Sequence, residues 1–392
     1  MPTSTHPVTP SQRPPSGEPL ENTANKSSLD VDPRAERRSR RYGGRAVLWG
    51  CSTLPRCRTC GRVAHSSDGR VGVRATSGVA GFAGLNTCGS VWVCPVCSSK
   101  VMSRRALEIG TAVAGAQVEG LPVAFMTFTM RHHRGQRLDH LWDALAKGWG
   151  RITSGVRWKV DRADFGVVGY VRVVEVTHGR NGWHVHVHCL VFGTGITRAN
   201  LDVLGSSMWG RWSRGLVAAG LDAPLPIASE WHVIGGDLDG TALGEYLAKG
   251  LDAAGSLGME LTATQSKVAR AAHSTSSVWD LLEAGPVLGD RAALEAWWEY
   301  EQGSKGRRQI AWSRGLRERF GIGVELSDDE VAAEAVGTEA DTLVWITRPG
   351  WARLVSKPWL LPKVLDRAET GGAAGLSSWL TEHGVDHERV FS

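Results

Sequence analysis

One segment of the 392-residue chain places three histidines at alternate positions. In the run WHVHVHCLVF, His184, His186 and His188 alternate with apolar residues, the period-2 pattern of a β-strand whose two faces differ. Imidazole is the commonest nitrogen ligand for metals in proteins, and three such rings build a poor core. Because alternate strand residues lie about 6.6 Å apart, one ion cannot bind all three. We therefore predict a metal site of two adjacent histidines and one residue from a neighbouring strand; a solvated sheet face is the alternative.

The preceding run, FGVVGYVRVVEVT, supplies a candidate for the third ligand. It is separated from the histidine run by a short loop containing Asn181-Gly182, which is typical of a β-hairpin. A turn that is symmetric about Arg180 and Asn181 would place Glu175 opposite His186. An exposed Glu175 without a ligand role is the alternative. Other candidates for the third ligand are His132, His133 and His178.

The cysteines predict a second metal site. They form two Cys-x-x-Cys pairs, a spacing that lets two thiolates from one tight turn bind the same tetrahedral zinc ion. The predicted ligands of a structural Zn²⁺ are Cys57, Cys60, Cys94 and Cys97. The 33 residues between the pairs exceed the usual spacing, so neighbouring residues are possible substitutes. These are Cys88, Cys51 and His65, and a group of reduced, buried thiols is the alternative to a metal site.

Tyr246 is a candidate nucleophile. It lies in the helix-forming segment GEYLAKG, directly after the strand EWHVIGG, and Lys249 follows at a spacing that shares its helix face. An ammonium there would neutralise a phosphate or lower the pKa of the phenol from about 10. A tyrosine on an amphipathic helix is more often a core or rim residue, and its position after the histidine strand distinguishes this one.

The elements that would position these residues follow the order β-α-β-β-α-β-α between residues 121 and 252. LPVAFMTFTM predicts a strand, apolar residues then recur at helical spacing over 138–152, and the hairpin, a helix over 197–219, a strand and a helix over 240–249 follow. This order is typical of the ferredoxin-like, split βαβ arrangement, in which helices back one face of an antiparallel sheet and leave the other open. We therefore predict an α+β fold.

The chain divides into five predicted regions. Residues 1–45 are rich in Pro, Ser and Thr and end in a run of arginines, which predicts a disordered basic tail. The other regions are a cysteine-rich zinc module with a connecting helix (46–115), the sheet domain (116–255), a helical basic extension (256–325), and an acidic linker with a small C-terminal element (326–392).

The charge of the chain permits a polyanionic partner without requiring one, and its hydropathy favours a location in the cytosol. The net charge is +5, and basic residues concentrate in KGRRQIAWSRGLRERF, where the only acid is Glu318. Such a segment is suited to a nucleic-acid backbone, although a solvated face or pairing with the acidic stretch 325–341 would also explain it. No apolar run is long enough for a membrane span and the N-terminus has no signal-peptide pattern, so we expect a cytoplasmic protein without a membrane partner. The candidate DNA-binding residues are Arg307, Arg308, Arg314 and Arg317.

Three ordered motifs, the FMTFTM strand, WHVHVHCLVF and EYLAKG, resemble those of rolling-circle plasmid replication initiators of the HUH endonuclease superfamily. The cysteine pairs and the later W-x-E-Y-E and KGRRQIAWSRGLR blocks resemble initiators of actinomycete plasmids in particular, and the resemblance covers about residues 50–320. It implies that His186 and His188 bind a catalytic Mg²⁺ or Mn²⁺. It also implies that Tyr246 attacks one strand of the origin, leaving a 5′-phosphotyrosyl link and a 3′-OH that primes replication.

The resemblance also implies partners: plasmid origin DNA, both duplex and single-stranded, and a host helicase and polymerase. One feature departs from the family. Related initiators often carry a second tyrosine one turn after the first or a carboxylate one turn before it, and these positions are Gly250 and Ala242 here. The acid that ends the cycle is therefore open between Glu245, Asp237 and Asp239.

Three other functions compete with the initiator. A conjugative relaxase or transposase of the same superfamily would normally bring a helicase-like extension or another histidine spacing. A zinc-dependent DNA-binding regulator would leave the histidine strand and Tyr246 unexplained. A metal hydrolase of small molecules would not explain the basic segments.

Overall fold

The computed structural model describes residues 33–234 and 275–390, in which two antiparallel sheets pack with helices, so the predicted α+β class is confirmed. The strands of these ranges are β1 (Val71–Thr76), β2 (Val79–Ala83), β3 (Val123–Thr129), β4 (Val167–Gly179), β5 (Gly182–Gly193), β6 (Glu230–Ile234), β7 (Thr275–Ser276), β8 (Ile310–Trp312), β9 (Thr342–Ile346) and β10 (His387–Arg389). The α-helices are α1 (Pro33–Cys51), α2 (Pro55–Thr59), α3 (Pro95–Val118), α4 (Leu138–Ile152), α5 (Gly155–Asp164), α6 (Leu201–Val217), α7 (Val278–Ala284), α8 (Arg291–Ser304), α9 (Leu316–Arg319), α10 (Asp328–Ala333), α11 (Arg348–Ser356) and α12 (Leu360–Glu382).

The larger sheet has the strand order β6-β3-β5-β4-β7, and β8 also pairs with β4. Both β3 and β4 pair antiparallel with β5, which lies between them, so β3 and β4 run parallel to each other. Helices α4 and α5 connect β3 to β4, and α6 connects β5 to β6. The predicted elements therefore occur in the predicted order as far as β6, with α5 as an additional helix between β3 and β4. The helix predicted over 240–249 lies outside the described residues.

One face of this sheet packs against α4 and α6. Val185, Val187 and Val191 alternate with the histidines along β5 and are fully buried in the cluster that these helices complete. The helices approach closely where two glycines meet, because a Cβ built on Gly215 would lie 2.6 Å from the Cα of Gly148. A larger residue at either position would push α6 away from α4 and from the sheet.

The opposite face of the sheet is covered over part of its length. Ile109 and Val113 of α3 belong to one apolar cluster with Leu190 and Phe192 of β5, whereas the histidines nearer the start of β5 lie outside that cluster. The sequence analysis predicted an open face, and this part of the prediction is wrong. Leu190 and Phe192 share the histidine face and are apolar, so their burial favours a helix over that end.

The smaller sheet, β10-β9-β1-β2, joins the two ends of the described chain. Val71 and Val73 of β1 lie opposite Ile346 and Val344 of β9, and all four belong to an apolar cluster with residues of α12. Residues 342–390 therefore belong to the same unit as the cysteine-rich segment, whereas the sequence analysis placed them in a separate C-terminal element. A two-stranded β1–β2 hairpin alone would have marginal stability in water. Strands β9 and β10 extend it to four strands, and α12 packs on its apolar residues.

Residues 33–45, which the sequence analysis assigned to a disordered tail, form the first part of α1. Arg38 is buried there and pairs with Asp366 and Glu369 of α12. In the sequence the arginine run looks like solvated charge, because its acidic partners lie more than 300 residues away along the chain. The beginning of the predicted tail, residues 1–32, lies outside the described residues.

The acidic stretch 325–341, predicted as a linker, is held against α3. Asp328 accepts a hydrogen bond from Nη2 of Arg105 at 3.1 Å, and Nζ of Lys100 donates to the carbonyl oxygen of Ala332 at 2.7 Å. Helix α10 therefore contacts α3 directly.

The longest described helices, α1, α3 and α12, have 19, 24 and 23 residues. Neither these nor the shorter helices of residues 33–234 and 275–390 combine the length and apolar character needed to cross a bilayer.

A buried ion pair joins α5 to α6. Asp161 is fully buried and accepts a hydrogen bond from Nη2 of Arg211 at 2.6 Å, while Nε of Arg211 donates to the carbonyl oxygen of Ile152 at 3.1 Å. Asp161→Ala leaves this guanidinium buried without its carboxylate, so we expect the free energy of unfolding in urea to fall by about 3–5 kcal/mol. Arg291→Ala is the control, because it breaks only an exposed pair with Glu295 and should leave the midpoint nearly unchanged. Equal, small effects of the two substitutions would contradict this role of Asp161.

Candidate metal centre

The β4–β5 hairpin brings one carboxylate and two imidazoles together. Its two-residue turn sets Gly179 opposite Gly182, and this register places Glu175 opposite His186, as a symmetric turn predicts. Nε2 of His186 lies 2.7 Å from Oε2 of Glu175, and Nε2 of His188 lies 3.2 Å from the same oxygen. The two Nε2 atoms are 3.0 Å apart. Three potential ligand atoms thus converge on the histidine face of the sheet, beyond the end that α3 covers.

The donor set and its spacing fit a divalent cation. Two ligand atoms at about 2.1 Å from an ion, at right angles around it, lie about 3.0 Å apart. The three separations here, 2.7, 3.0 and 3.2 Å, are close to that value. Two ring nitrogens at 3.0 Å repel each other unless a proton or a cation lies with them. Carboxylate oxygen suits Mg²⁺ and Mn²⁺, and imidazole favours Mn²⁺, so Glu175, His186 and His188 are the residues that would hold either ion.

Residues of β3 orient the second histidine. Oγ1 of Thr127 and Nδ1 of His188 form a hydrogen bond at 3.1 Å, and the ring of Phe125 stacks on the His188 ring with centroids 5.5 Å apart. With the ring proton on Nδ1, Nε2 presents its lone pair to the cluster. The sequence analysis did not identify Thr127 or Phe125. The signal lay in the FMTFTM run, whose pairing with the histidine strand sets Thr127 opposite His188.

The other histidines of this region are not members of the described cluster of Glu175, His186 and His188. The ring of His184 nevertheless packs against that of His186, with centroids 4.9 Å apart. His184 stacks on His132 with ring centroids 5.0 Å apart, and burial lowers the pKa of His132. The ring of His178 packs on Trp183 at 4.6 Å, and Nδ1 of His133 accepts a hydrogen bond from the backbone N–H of Gly135. None of these three alternatives to Glu175 joins the described cluster.

The candidate nucleophile and its neighbours, Tyr246, Lys249 and Glu245, lie outside the described residues, as do Asp237 and Asp239. The other three tyrosines are described. Tyr300 is buried, its hydroxyl donates to the carbonyl oxygen of Trp92 at 3.2 Å, and burial raises its pKa well above the usual range. Tyr42 is also buried, with a raised pKa. Tyr170 packs against Trp149 of α4 and Trp158 of α5, on the helix-covered side of the sheet.

Four buried cysteines form the second cluster. Their Sγ atoms lie 3.7 Å apart for Cys60 and Cys94, 3.5 Å for Cys60 and Cys97, and 3.7 Å for Cys88 and Cys97. Tetrahedral zinc with Zn–S bonds of about 2.3 Å separates its sulfur atoms by about 3.8 Å, so this set fits a Zn²⁺ site. Cys57 is buried but is not one of the four mutually close thiols, and Cys88, named above as a substitute, takes its place.

Two of the four thiols lie at the start of α3. Cys94 is its N-cap residue, and Cys97 lies in its first turn. Cys51 is partly exposed, and burial together with the charge of Glu301 raises its pKa to about 11. His65 is exposed, so neither of these two substitutes takes part in the cluster.

Two of the four candidate DNA-binding arginines form ion pairs within the protein, and the other two are exposed. Arg307 pairs with Asp143 at 2.9 Å, and buried Arg317 pairs with Glu108 at 2.8 Å. Although burial acts to raise the pKa of Glu108, the hydrogen bond from Arg317 and the charge of Arg105 hold it below its usual range. The other two, Arg308 and Arg314, are exposed.

Comparison with known proteins places this chain among replication proteins. The family model described as a replication protein matches residues 82–195, which include three of the four clustered cysteines and the metal-centre hairpin. "Protein rep" of Streptomyces lividans is 30% identical over 349 residues, covering 73% of this chain and 76% of that protein. A "Neomycin resistance protein" of Streptomyces cyanogenus is 33% identical over 154 residues, and the match spans only 35% of that protein and 33% of this chain. No solved structure matches.

The chain therefore belongs to the Rep family of replication proteins, and the resemblance to initiators of actinomycete plasmids is confirmed. It is a plasmid replication protein.

The cysteine cluster predicts which thiols hold zinc. The purified protein should contain about one zinc per chain by elemental analysis, and Cys88→Ser should reduce that content to well below half and lower the melting temperature. Cys57→Ser is the matched control: Cys57 is a buried thiol that neighbours Cys88 but is not one of the four mutually close thiols, and the variant should retain zinc. Loss of zinc in Cys57→Ser with retention in Cys88→Ser would instead support the ligand set read from the Cys-x-x-Cys spacing.

The three converging ligand atoms predict how Mn²⁺ binds. Calorimetric titration of the zinc-loaded protein should show that His186→Ala and His188→Ala each weaken Mn²⁺ affinity by more than 10-fold, because each removes a ligand atom. His184→Ala is the matched control on the same strand face and should change the affinity by less than about 3-fold. Equal losses for all three variants would contradict the geometry of the centre.

Proposed function

We propose that this replication protein is a tyrosine-dependent endonuclease and strand transferase that nicks one strand of the double-strand origin. The observation that carries the proposal is the convergence of Glu175, His186 and His188 on one face of a split βαβ sheet. The parallel strands β3 and β4, with β5 inserted between them, support an assignment to the ferredoxin-like HUH fold.

Glu175, His186 and His188 would hold the catalytic Mg²⁺ or Mn²⁺. When bound there, such an ion supplies Lewis-acid polarisation of the scissile phosphate. The buried hairpin fixes the ligand side chains in advance, and Thr127 and Phe125 hold the His188 ring at its angle, so little reorganisation accompanies binding of the substrate. The thiol cluster has no open coordination position to offer substrate once four sulfurs bind one ion, which supports a structural Zn²⁺ there.

Tyr246 is the proposed nucleophile. Its phenolic oxygen would lose its proton and attack the phosphorus, and the bond from phosphorus to the 3′ oxygen would break. The leaving 3′ oxygen would take up a proton, so the products would be a 5′-phosphotyrosyl link and a 3′-OH primer. The described tyrosines support this choice by their surroundings, because Tyr300 and Tyr42 are buried and Tyr170 packs beneath α4 and α5. Lys249 would neutralise the attacked phosphate.

The closing step needs a group to activate the attacking 3′-OH and one to protonate the phenolate that leaves. We assign these roles to an acid near Tyr246, with Glu245, Asp237 and Asp239 as the candidates. A 3′-OH then attacks the phosphotyrosyl phosphorus, the tyrosyl oxygen leaves, and the strand is rejoined. The energy of the phosphodiester bond is conserved in the tyrosyl ester, so the cycle needs no nucleotide cofactor.

Of the four candidate arginines in the basic segment, we propose two as DNA contacts. Arg308 and Arg314 are exposed and remain available to phosphates, whereas Arg307 and Arg317 pair with Asp143 and Glu108. Plasmid origin DNA is the proposed partner, first as duplex and then as a nicked single strand. A host helicase and polymerase would extend the 3′-OH in the bacterial cytoplasm.

Tyr246→Phe should abolish nicking of a supercoiled origin plasmid, a loss of more than 1000-fold in rate, because only the attacking oxygen is removed. Binding to origin DNA should stay within about 2-fold. The protein–DNA adduct that survives denaturation in the presence of Mn²⁺ should disappear with the nicking.

Tyr300→Phe is the matched control, since the Tyr300 hydroxyl is buried and donates a hydrogen bond to the carbonyl oxygen of Trp92. It should retain the adduct. An adduct in Tyr246→Phe, or its loss in Tyr300→Phe with the fold intact, would remove Tyr246 as the nucleophile.

A further inference from the structure

A cavity of about 430 Å³ lies between α1 and α7, with Pro95 at the start of α3 on its wall. This volume is within the range of sites that hold small organic groups. Three arginines of α1 line one side: Arg37, Arg40 and Arg41. Trp279 of α7 lines the other side.

The three arginines have no acidic partner in the part of the chain that the structure describes. A fourth arginine of α1 does have acidic partners. Arg38 is buried against Asp366 and Glu369 of α12. Arg37, Arg40 and Arg41 have the spacing i, i+3 and i+4, which places them on a common side of the helix. Arg41 is half-buried, and a guanidinium withdrawn from water without an anion is unfavourable, so burial and the neighbouring arginines lower its pKa. This side of the cavity therefore suits an anion.

The opposite side suits a flat, uncharged group. The Trp279 ring is half-buried against Trp297, with centroids 6.0 Å apart, and its indole N–H has no acceptor among the described residues. Asp280 and Glu283 lie on the same rim. Asp280 accepts a hydrogen bond from the backbone N–H of Ser277 at 2.9 Å, and Glu283 is exposed. Negative charge on this rim disfavours a ligand that is anionic at both ends.

The two sides of the cavity therefore differ. The α1 side is cationic, and the α7 side has an aromatic ring and the carboxylates of Asp280 and Glu283 as hydrogen-bond acceptors. A nucleotide has the same asymmetry, with an anionic phosphate at one end and at the other a flat base that carries N–H donors. A base within a duplex has both faces stacked, so it cannot also lie against Trp279, whereas a base of a single strand can.

We propose that this cavity binds one nucleotide of single-stranded DNA, with its phosphate on Arg37, Arg40 and Arg41 and its base against Trp279. The site uses neither the metal centre nor Tyr246. It would give the replication protein a binding site for single-stranded DNA that takes no part in cleavage.

Fluorescence anisotropy of a labelled (dT)12 strand and of a 12-base-pair duplex, in EDTA to suppress cleavage, tests the proposal with the full-length, zinc-loaded protein. Arg40→Ala combined with Arg41→Ala should weaken (dT)12 binding at least 10-fold at about 0.1 M NaCl. The slope of log K against log[NaCl] should become shallower by about 1.4, since each phosphate contact on a single strand contributes about 0.7. Replacing both residues with Lys should preserve the slope.

Trp279→Leu should weaken (dT)12 binding about 10-fold without changing the salt slope, and should leave duplex binding unchanged, because it removes a stacking surface and no charge. Trp279→Phe should retain most of the affinity, which separates lost stacking from a disturbed fold. The control is Lys363→Ala combined with Arg367→Ala, which removes two exposed charges from α12 and should have little effect.

The proposal is wrong if Trp279→Leu and Trp279→Phe both bind (dT)12 as the wild type does, or if the α12 control weakens binding as much as the α1 double variant. It is also wrong if the α1 double variant weakens duplex and single strand equally while Trp279→Leu weakens neither, since that result describes a general phosphate surface. Tyr246→Phe should bind (dT)12 with wild-type affinity. The binding measurement therefore tests the cavity independently of whether Tyr246 is the nucleophile.

Discussion

In the β4–β5 hairpin, the two-residue turn that sets Gly179 opposite Gly182 also sets Glu175 opposite His186. A shift of one residue in this pairing would turn every side chain of one strand to the other face, and the carboxylate would enter the core packed by α4 and α6. The register is held by burial, because Val185 and Val187 have no exposed surface in their present orientation. Apolar packing on one face of the sheet thus fixes the ligand geometry on the other.

Helix α3 runs from the thiol cluster to the sheet that carries the candidate metal centre. It begins at the cysteine cluster, with Cys94 as its N-cap and Cys97 in the first turn, and its second half covers Leu190 and Phe192 of the histidine face. At 24 residues it is about 36 Å long, so the cysteine cluster anchors one end and the sheet anchors the other. Zinc binding would therefore stabilise the helix that covers one end of the face on which Glu175, His186 and His188 converge.

The arginines are divided between internal pairing and contact with a partner. Arg38, Arg211 and Arg317 are buried beside carboxylates and hold helices or segments together. Arg308 and Arg314 are exposed, and the three arginines at the α1 cavity are without acids in the described residues. A buried guanidinium is stabilised by a carboxylate, so the location of acids on distant elements helps to decide which arginines remain available for phosphate.

Local sequence patterns were sufficient to predict several features of this protein. Alternation along one strand placed the histidines on a common face, and a two-residue turn predicted the position of Glu175 opposite His186. These two inferences succeed because they depend on residues within one element or one hairpin. The Cys-x-x-Cys pairs likewise pointed to the segment in which four thiols meet. Tertiary structure alone brought Cys88 into the thiol cluster, paired β1 with β9, and separated Arg317 from Arg314. Each of these depends on the path of the chain between distant segments, which spacing along the sequence does not encode.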